Sequence, residues 1–191
     1  MKVMLIHDGS ARTRFLKSIL ENLNISVIDE TDILVGLSNR IKASKPDLVL
    51  IDMDAPSRDS LESICITSRT SDRPLVMFTG DGSRESMRKA LSSGVAAYVV
   101  GSVEADRIQH LLQVAMERFE LDKAKQEELD AVKSQLEERK WVEQAKGILQ
   151  KTKQMDEATA HKWLRDRAMQ TQRRIGAVAR ELVEVSDWLK N

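Results

Sequence analysis

Two aspartates and a threonine stand at the ends of short apolar runs, where they could handle a phosphoryl group. Asp8 follows Val3–Ile6 and His7, Asp52 follows Leu48–Ile51, and Thr79 follows Leu75–Phe78. Carboxylate oxygens are the ligands hard cations prefer, so Asp8 and Asp52 could hold a metal ion, weakly with only two of them. An aspartate oxygen can also accept a phosphoryl group, and a nearby hydroxyl can hydrogen-bond to it. A second constellation lies in the last third of the chain: Arg139, Lys140, Lys146, Arg165, Met169, Thr171, Arg173 and Arg174. RNA is read mostly in loops, by cationic groups on phosphate and by flat or apolar surfaces on splayed bases. These residue types could supply both. Singly, each cation is also what an ordinary solvated helix face carries. Met169 reads equally as contact or packing, and Trp163, on an apolar stripe, reads as packing.

The elements that must position these residues follow from the pattern of apolar runs. Val3–Ile6, Ile25–Ile28, Leu48–Ile51, Leu75–Phe78 and Ala97–Val100 read as buried strands. Helix-like stretches lie between them, near 11–23, 33–43, 57–70 and 83–93, and from 104 onward. Strand–helix alternation implies a parallel sheet covered on both faces. Five strands in about a hundred residues fit the α/β flavodoxin-like order 2-1-3-4-5. In that order the ends of the first, third and fourth strands converge, which brings Asp8, Asp52 and Thr79 together.

The back of the chain is helical. All three prolines precede residue 75, and six of the eight glycines fall at or before Gly101. From Glu104 to about Thr152 nothing interrupts a helix. Ile108, Leu112, Ala115, Phe119, Leu129 and Leu136 share one stripe, whose middle positions Asp122, Gln126 and Lys133 are polar. That stripe predicts a leaky coiled coil with a second copy, the alternative being a solvated single helix. The first helix should end near Lys153–Asp156. Asp156 is a fair N-cap for a second helix with stripe Ala160, Trp163, Leu164 and Ala168. Thr171 is a fair N-cap for a third, with stripe Ile175, Val178, Leu182, Val185 and Leu189. Gly147 and Gly176 sit inside helical patterns, where close helix approach would explain them. The expected division is a domain over 1–103, a coiled-coil linker over 104–136, and a small all-α three-helix domain over 137–191.

Composition narrows the function classes. Formal net charge is zero, but residues 104–136 carry 5 basic and 8 acidic side chains, whereas 137–191 carry 12 and 9. A phosphate-binding surface is therefore a local patch rather than a strongly basic domain. The single Cys65 and three scattered histidines make neither a disulfide framework nor a zinc site. No nucleophile–base pair and no glycine-rich phosphate loop is present, so an enzyme is not expected, and no cofactor is required. The opening residues lack a signal-peptide core and no long apolar span follows, so a soluble, cytoplasmic protein without membrane contact is expected.

The front of the chain, residues 1–103, resembles a response-regulator receiver domain. The resemblance makes Asp52 the phosphoacceptor position, Asp8 an acidic metal ligand for Mg²⁺, and Thr79 the switch hydroxyl. Two positions depart from it: His7 stands where a second acidic residue is usual, and Gly101 stands where a lysine is usual. These departures suit a pseudo-receiver that is not driven by phosphate. The back, through Ala145-Lys146-Gly147, Trp163-Leu164-Arg165, Ala168-Met169 and Arg173-Arg174-Ile175, resembles the ANTAR domain over 136–185. Such domains bind paired hairpins in leader mRNA and prevent a terminator from forming. A homodimer through the long helix would present two such modules. The combination, with Leu5-Ile6-His7-Asp8, Val27-Ile28-Asp29-Glu30 and Val76-Met77-Phe78-Thr79, is similar to the NasT-like regulators of the AmiR/NasT family. That implies antitermination of nitrate and nitrite assimilation genes and a nitrate-sensing, NasS-like partner protein that holds the regulator inactive. The alternative is a phosphorylation-controlled regulator of the two-component type with a nucleic-acid-binding output for another pathway.

Overall fold

A computed structural model describes residues 1–9, 11–101 and 104–188. Five strands, β1 (Lys2–His7), β2 (Ser26–Thr31), β3 (Leu48–Asp52), β4 (Leu75–Thr79) and β5 (Ala97–Val100), form one sheet in the order β2-β1-β3-β4-β5. Every pairing is parallel. All residues of β3 and β4 are buried, as strands covered on both faces require. The edge strand β2 alternates instead between exposed and part-buried positions up to the buried Thr31.

The two-residue period of a strand sorts the core into two clusters. Val3, Leu5, Leu48, Leu50, Val76 and Phe78 point to one face, and Met4, Ile6, Val49, Ile51, Leu75 and Met77 to the other. The first face is covered by α1 (Ala11–Asn22) and the start of α5 (Ala105–Lys153). The second is covered by α2 (Leu37–Ser44), α3 (Arg58–Thr70) and α4 (Arg84–Ser92). The α2 helix starts later than its apolar pattern suggested, because Gly36, at φ 74, holds a left-handed turn immediately before it.

The chain forms two compact units, Met1–Lys123 and Ala124–Asn191, and the division falls within α5. This changes the meaning of the long helix's apolar stripe. Ile108, Leu112 and Ala115 are buried in the sheet cluster, and Phe119 packs against it. They complete the first unit rather than face another copy. Leu129 and Leu136, further along the same stripe, are exposed.

In the second unit the end of α5 packs with α6 (Glu157–Gln170) and α7 (Ile175–Trp188) around Val142, Ala145, Leu149, Ala160, Leu164, Ala168, Val178, Ala179 and Val183. Asp156 caps α6 by accepting the Thr159 N–H at 2.9 Å. Thr171 does not cap α7. It closes α6, its hydroxyl donating to the Arg167 carbonyl at 2.8 Å. Gln172 follows at φ 51, with Gln172 N–H donating to Met169 O and Arg173 N–H to Ala168 O. That paired closure is the Schellman motif, built here without glycine. On α7, Val185 is exposed and the inward row runs through Val178, Ala179 and Val183; Leu189 lies outside the described residues.

The two helical glycines separate on inspection of their surroundings. A Cβ on Gly176 would overlap the Glu138 side chain, whereas one on Gly147 would meet nothing within 4 Å. Close approach explains Gly176 and not Gly147. Gly147→Ala is therefore expected to stabilise the protein by about 0.5–1 kcal/mol, by lowering the entropy of the unfolded chain. Gly176→Ala is expected to cost about 1–2 kcal/mol, because Glu138 must swing away from the helix end it caps. Urea unfolding of the two variants reads both signs.

Candidate phosphoacceptor pocket and nucleic-acid interface

The sheet brings Asp8, Asp52 and Thr79 to one end, as the strand order requires: His7 is paired with Asp52 across β1 and β3, and Asp52 with Phe78 across β3 and β4. What they meet there was not expected. Arg12, in the first turn of α1, reaches over the end of the sheet and uses every nitrogen of its guanidinium. Nε donates to Asp52 Oδ1 at 2.6 Å, Nη1 to Asp54 Oδ1 at 3.0 Å, and Nη2 to the Phe78 carbonyl at 3.4 Å. The other Asp52 oxygen accepts from the Thr13 hydroxyl at 2.7 Å. Asp52 is wholly buried, 0% exposed, so neither oxygen faces solvent.

The remaining groups are engaged in holding the loops. Asp8 Oδ2 accepts the Asp54 N–H at 2.8 Å. The Thr79 hydroxyl donates to the Asp54 carbonyl at 3.2 Å and accepts the Asp81 N–H at 3.1 Å. His7 turns toward β2: its Nδ1 accepts the Gly9 N–H at 3.0 Å and its Nε2 lies 2.7 Å from Glu30. Lys17 shares that carboxylate at 2.7 Å and, with His7, holds the Glu30 carboxyl below the usual range against the opposing effect of burial. Gly101, at φ 81, donates its N–H to the Thr79 carbonyl at 2.9 Å. Among the described residues no group of three or more His, Cys, Asp or Glu side chains is placed to hold a metal ion.

In the second unit, two charged residues of α5 act as latches. Lys146 is buried, and its ammonium lies 2.8 Å from both Glu143 and Glu157. Glu143 first and Glu157 second raise the Lys146 ammonium above the ordinary lysine range, and Lys146 holds the Glu157 carboxyl below the usual glutamate range. Glu138 accepts the Gly176 N–H at 3.0 Å, placing a carboxylate on the N-terminus of α7, where backbone donors are unpaired and the helix dipole is positive. Lys146 therefore ties α5 to α6 and is not a free cation for phosphate, contrary to the sequence expectation.

The latch has a pH window. The raised lysine contributes stability fully present below the unfolded lysine value of about 10.4 and lost as pH rises through the folded one. The lowered Glu157 contributes stability present above about 4.3 and lost as pH falls through its folded value. Lys146→Met, which keeps the buried stem, is expected to unfold within a few degrees of wild type at neutral pH and to lose the wild type's alkaline fall in stability. Lys146→Ala, which removes the stem, is expected to melt clearly lower. Thermal unfolding from neutral pH to well above about 10.4 reads both.

The other predicted residues lie on the surface. Arg139, Lys140, Arg165, Met169, Thr171, Arg173 and Arg174 are all exposed, Met169 to 70%, which removes the packing reading for Met169. Arg173 is paired with Glu181. Arg165 and Arg174 have no ion pair among the described residues. Trp163 is half-buried against the helical core, with the Lys153 ammonium 5.1 Å from its ring centre.

Two residues that the sequence did not single out join Arg174. It lines an open pocket of about 250 Å³ with Glu138, Trp141, Gly176 and Arg180, and the Arg180 guanidinium lies 5.8 Å from the Trp141 ring centre. A half-buried indole with one guanidinium over its ring, and a second arginine lining the same pocket, is a surface on which a base could stack.

Residues 3–113 match the response regulator receiver domain, and residues 130–183 match the ANTAR domain. The transcriptional regulatory protein PdtaR of Mycobacterium tuberculosis is 31% identical over 140 residues, covering 73% of this chain and 68% of PdtaR. The chain belongs to the response-regulator receiver family and carries an ANTAR domain.

The chemotaxis protein CheY-3 of Vibrio cholerae is 26% identical, over 62% of this chain and 94% of its own. Among solved structures, the receiver domain of a modulated diguanylate cyclase from Desulfovibrio desulfuricans G20 superposes with TM-score 0.55 at 20% identity, covering 63% of this chain and 97% of that one. The BeF3-activated receiver domain of Klebsiella pneumoniae RstA gives 0.53 at 19% identity, over 61% and 98%. These two structures support the fold alone. Set against its family, this response regulator has the receiver's sheet but an altered acid pocket. A divalent cation does not fit it as built: the Arg12 guanidinium already pairs with Asp52, and His7 is bonded to Glu30. No described helix of the regulator is long and apolar enough to cross a membrane.

Proposed function

We propose that this response regulator is an RNA-binding transcription antiterminator whose ANTAR unit grips hairpins of a leader transcript. The observation that carries this reading is the surface of the second unit. The buried Lys146 and the part-buried Glu138 hold the three helices together, while Arg165, Met169, Arg174 and the Trp141–Arg180 pair remain exposed or open to solvent. That combination of cations and flat apolar groups suits unpaired bases with their phosphates. The exposed Leu121, Leu129, Val132 and Leu136 on α5 support pairing with a second copy, which would present two modules to two hairpins at raised effective concentration. The Leu5-Ile6-His7-Asp8 and Val76-Met77-Phe78-Thr79 resemblance to NasT-like regulators supports nitrate or nitrite assimilation genes as targets, and a NasS-like sensor as the controlling partner.

A mobility-shift assay with a two-hairpin leader RNA tests this. The purified chain is expected to shift the RNA, with affinity falling as salt rises. Binding to duplex DNA but not to the RNA would overturn the reading. Control through phosphorylation predicts that acetyl phosphate labels Asp52 and changes RNA affinity; control through a partner predicts that the unlabelled chain binds fully.

A further inference from the structure

The receiver pocket keeps two of the carboxylates on which a divalent cation would ordinarily sit, yet it lacks both a second acid at His7 and a lysine at Gly101. A buried, ionised carboxylate without a counterion costs several kcal/mol, so a pocket that loses its cations must either lose its acids or find another cation. Asp52 was not lost. We propose that Arg12 is the resident cation of this receiver: a tethered guanidinium that takes the place of both metal and lysine and keeps Asp52 closed to divalent ions and to phosphoryl donors.

The geometry carries this at each atom. Arg12 joins β3, the loop after it and the end of β4 through Asp52, Asp54 and Phe78 O. It meets Asp52 at 2.6 Å, a charge-assisted distance, and a donor that close stands in the approach a phosphoryl group needs. Thr13 takes the opposite oxygen. The arginine is itself only 21% exposed at its side chain, and its fork is fixed by three acceptors rather than one. The small pocket beside it, about 30 Å³, is lined mainly by apolar side chains, among them Phe15, Leu16, Phe78 and Ile108, together with Asp52 and Gly101. Tethered to the chain, this counterion cannot dissociate as Mg²⁺ can. The receiver is thereby held in one electrostatic state, and signals must reach it by protein contact. The inference rests on the receiver assignment and not on RNA binding, so a failed RNA assay leaves it standing.

The test compares thermal unfolding of the full chain and of Arg12→Gln, each with and without Mg²⁺ at about ten times the expected dissociation constant. The unsubstituted chain is expected to show no shift in the receiver's unfolding midpoint. Arg12→Gln, with its carboxylates released, is expected to rise by roughly 5 °C on adding Mg²⁺. Equal shifts in both proteins, or no shift in a folded Arg12→Gln, would overturn the proposal. Should Arg12→Gln not fold, Mn²⁺ titration of the unsubstituted chain decides: paramagnetic loss of the Asp8, Asp52 and Asp54 amide signals in NMR spectra rejects it, and their persistence upholds it.

Discussion

Arg12→Met is expected to destabilise the receiver unit by about 2–4 kcal/mol. The magnitude follows from where the two partners sit. Asp52 is 0% exposed, so without the guanidinium its carboxylate keeps, among the described residues, only the Thr13 hydroxyl as a side-chain partner. Breaking a buried pair typically costs 3–5 kcal/mol; the low end applies because the Arg12 side chain is 21% exposed and water can enter where it leaves. Methionine keeps most of the stem, so the loss reports the charge rather than the packing. The control is the double variant Arg12→Met, Asp52→Asn, which removes both charges and retains a side chain that can accept from Thr13. It is expected to recover at least about 1 kcal/mol, the scale at which contacting residues couple. Urea unfolding followed by circular dichroism measures all of these. A double variant no more stable than Arg12→Met alone would show that the arginine acts by packing and not by pairing.

Much of the receiver was legible because a buried parallel strand writes itself as an uninterrupted apolar run, and β3 and β4 are buried at every position. The convergence of Asp8, Asp52 and Thr79 then followed from topology. Three of the readings that failed did so for separate physical reasons. An apolar helix stripe records that a face is covered, not by what, so Ile108, Leu112 and Ala115 read as a coiled-coil seam although the sheet covers them. A cation's availability depends on partners distant in sequence: Lys146 is held partly by Glu157, eleven residues on and in another helix. Thr171 has the residue type of a helix start but stands at a helix end, because its hydroxyl can equally serve the Arg167 carbonyl behind it. Arg12 could have been noticed, four residues after Asp8 and in the first turn of a helix aimed at the sheet's end. Only the side-chain geometry shows that it reaches Asp52, 40 residues away.

The largest functional effect is expected at the Trp141–Arg174–Arg180 pocket. Arg174→Ala is expected to weaken leader-RNA binding by about 5- to 30-fold, equivalent to 1–2 kcal/mol for one phosphate- or base-directed guanidinium. Arg174 has no ion pair among the described residues, so its loss breaks no latch and the fold is expected to hold. Trp141→Leu fills the part of the site that packs against the helical core but removes the flat ring. Stacking contributes about 1–3 kcal/mol per base, so this variant alone is expected to lose between five- and a hundredfold. The two changes together are also expected to flatten the salt dependence, because one fewer phosphate is neutralised. Lys146→Met supplies the contrast: its ammonium lies inside the α5–α6 latch, so RNA affinity is expected to stay within about twofold wherever the protein is folded. Fluorescence anisotropy with a labelled hairpin, at two salt concentrations, separates the outcomes. If Lys146→Met loses affinity while Arg174→Ala and Trp141→Leu keep it, the RNA lies against the α5–α6 seam, and the latch opens on binding.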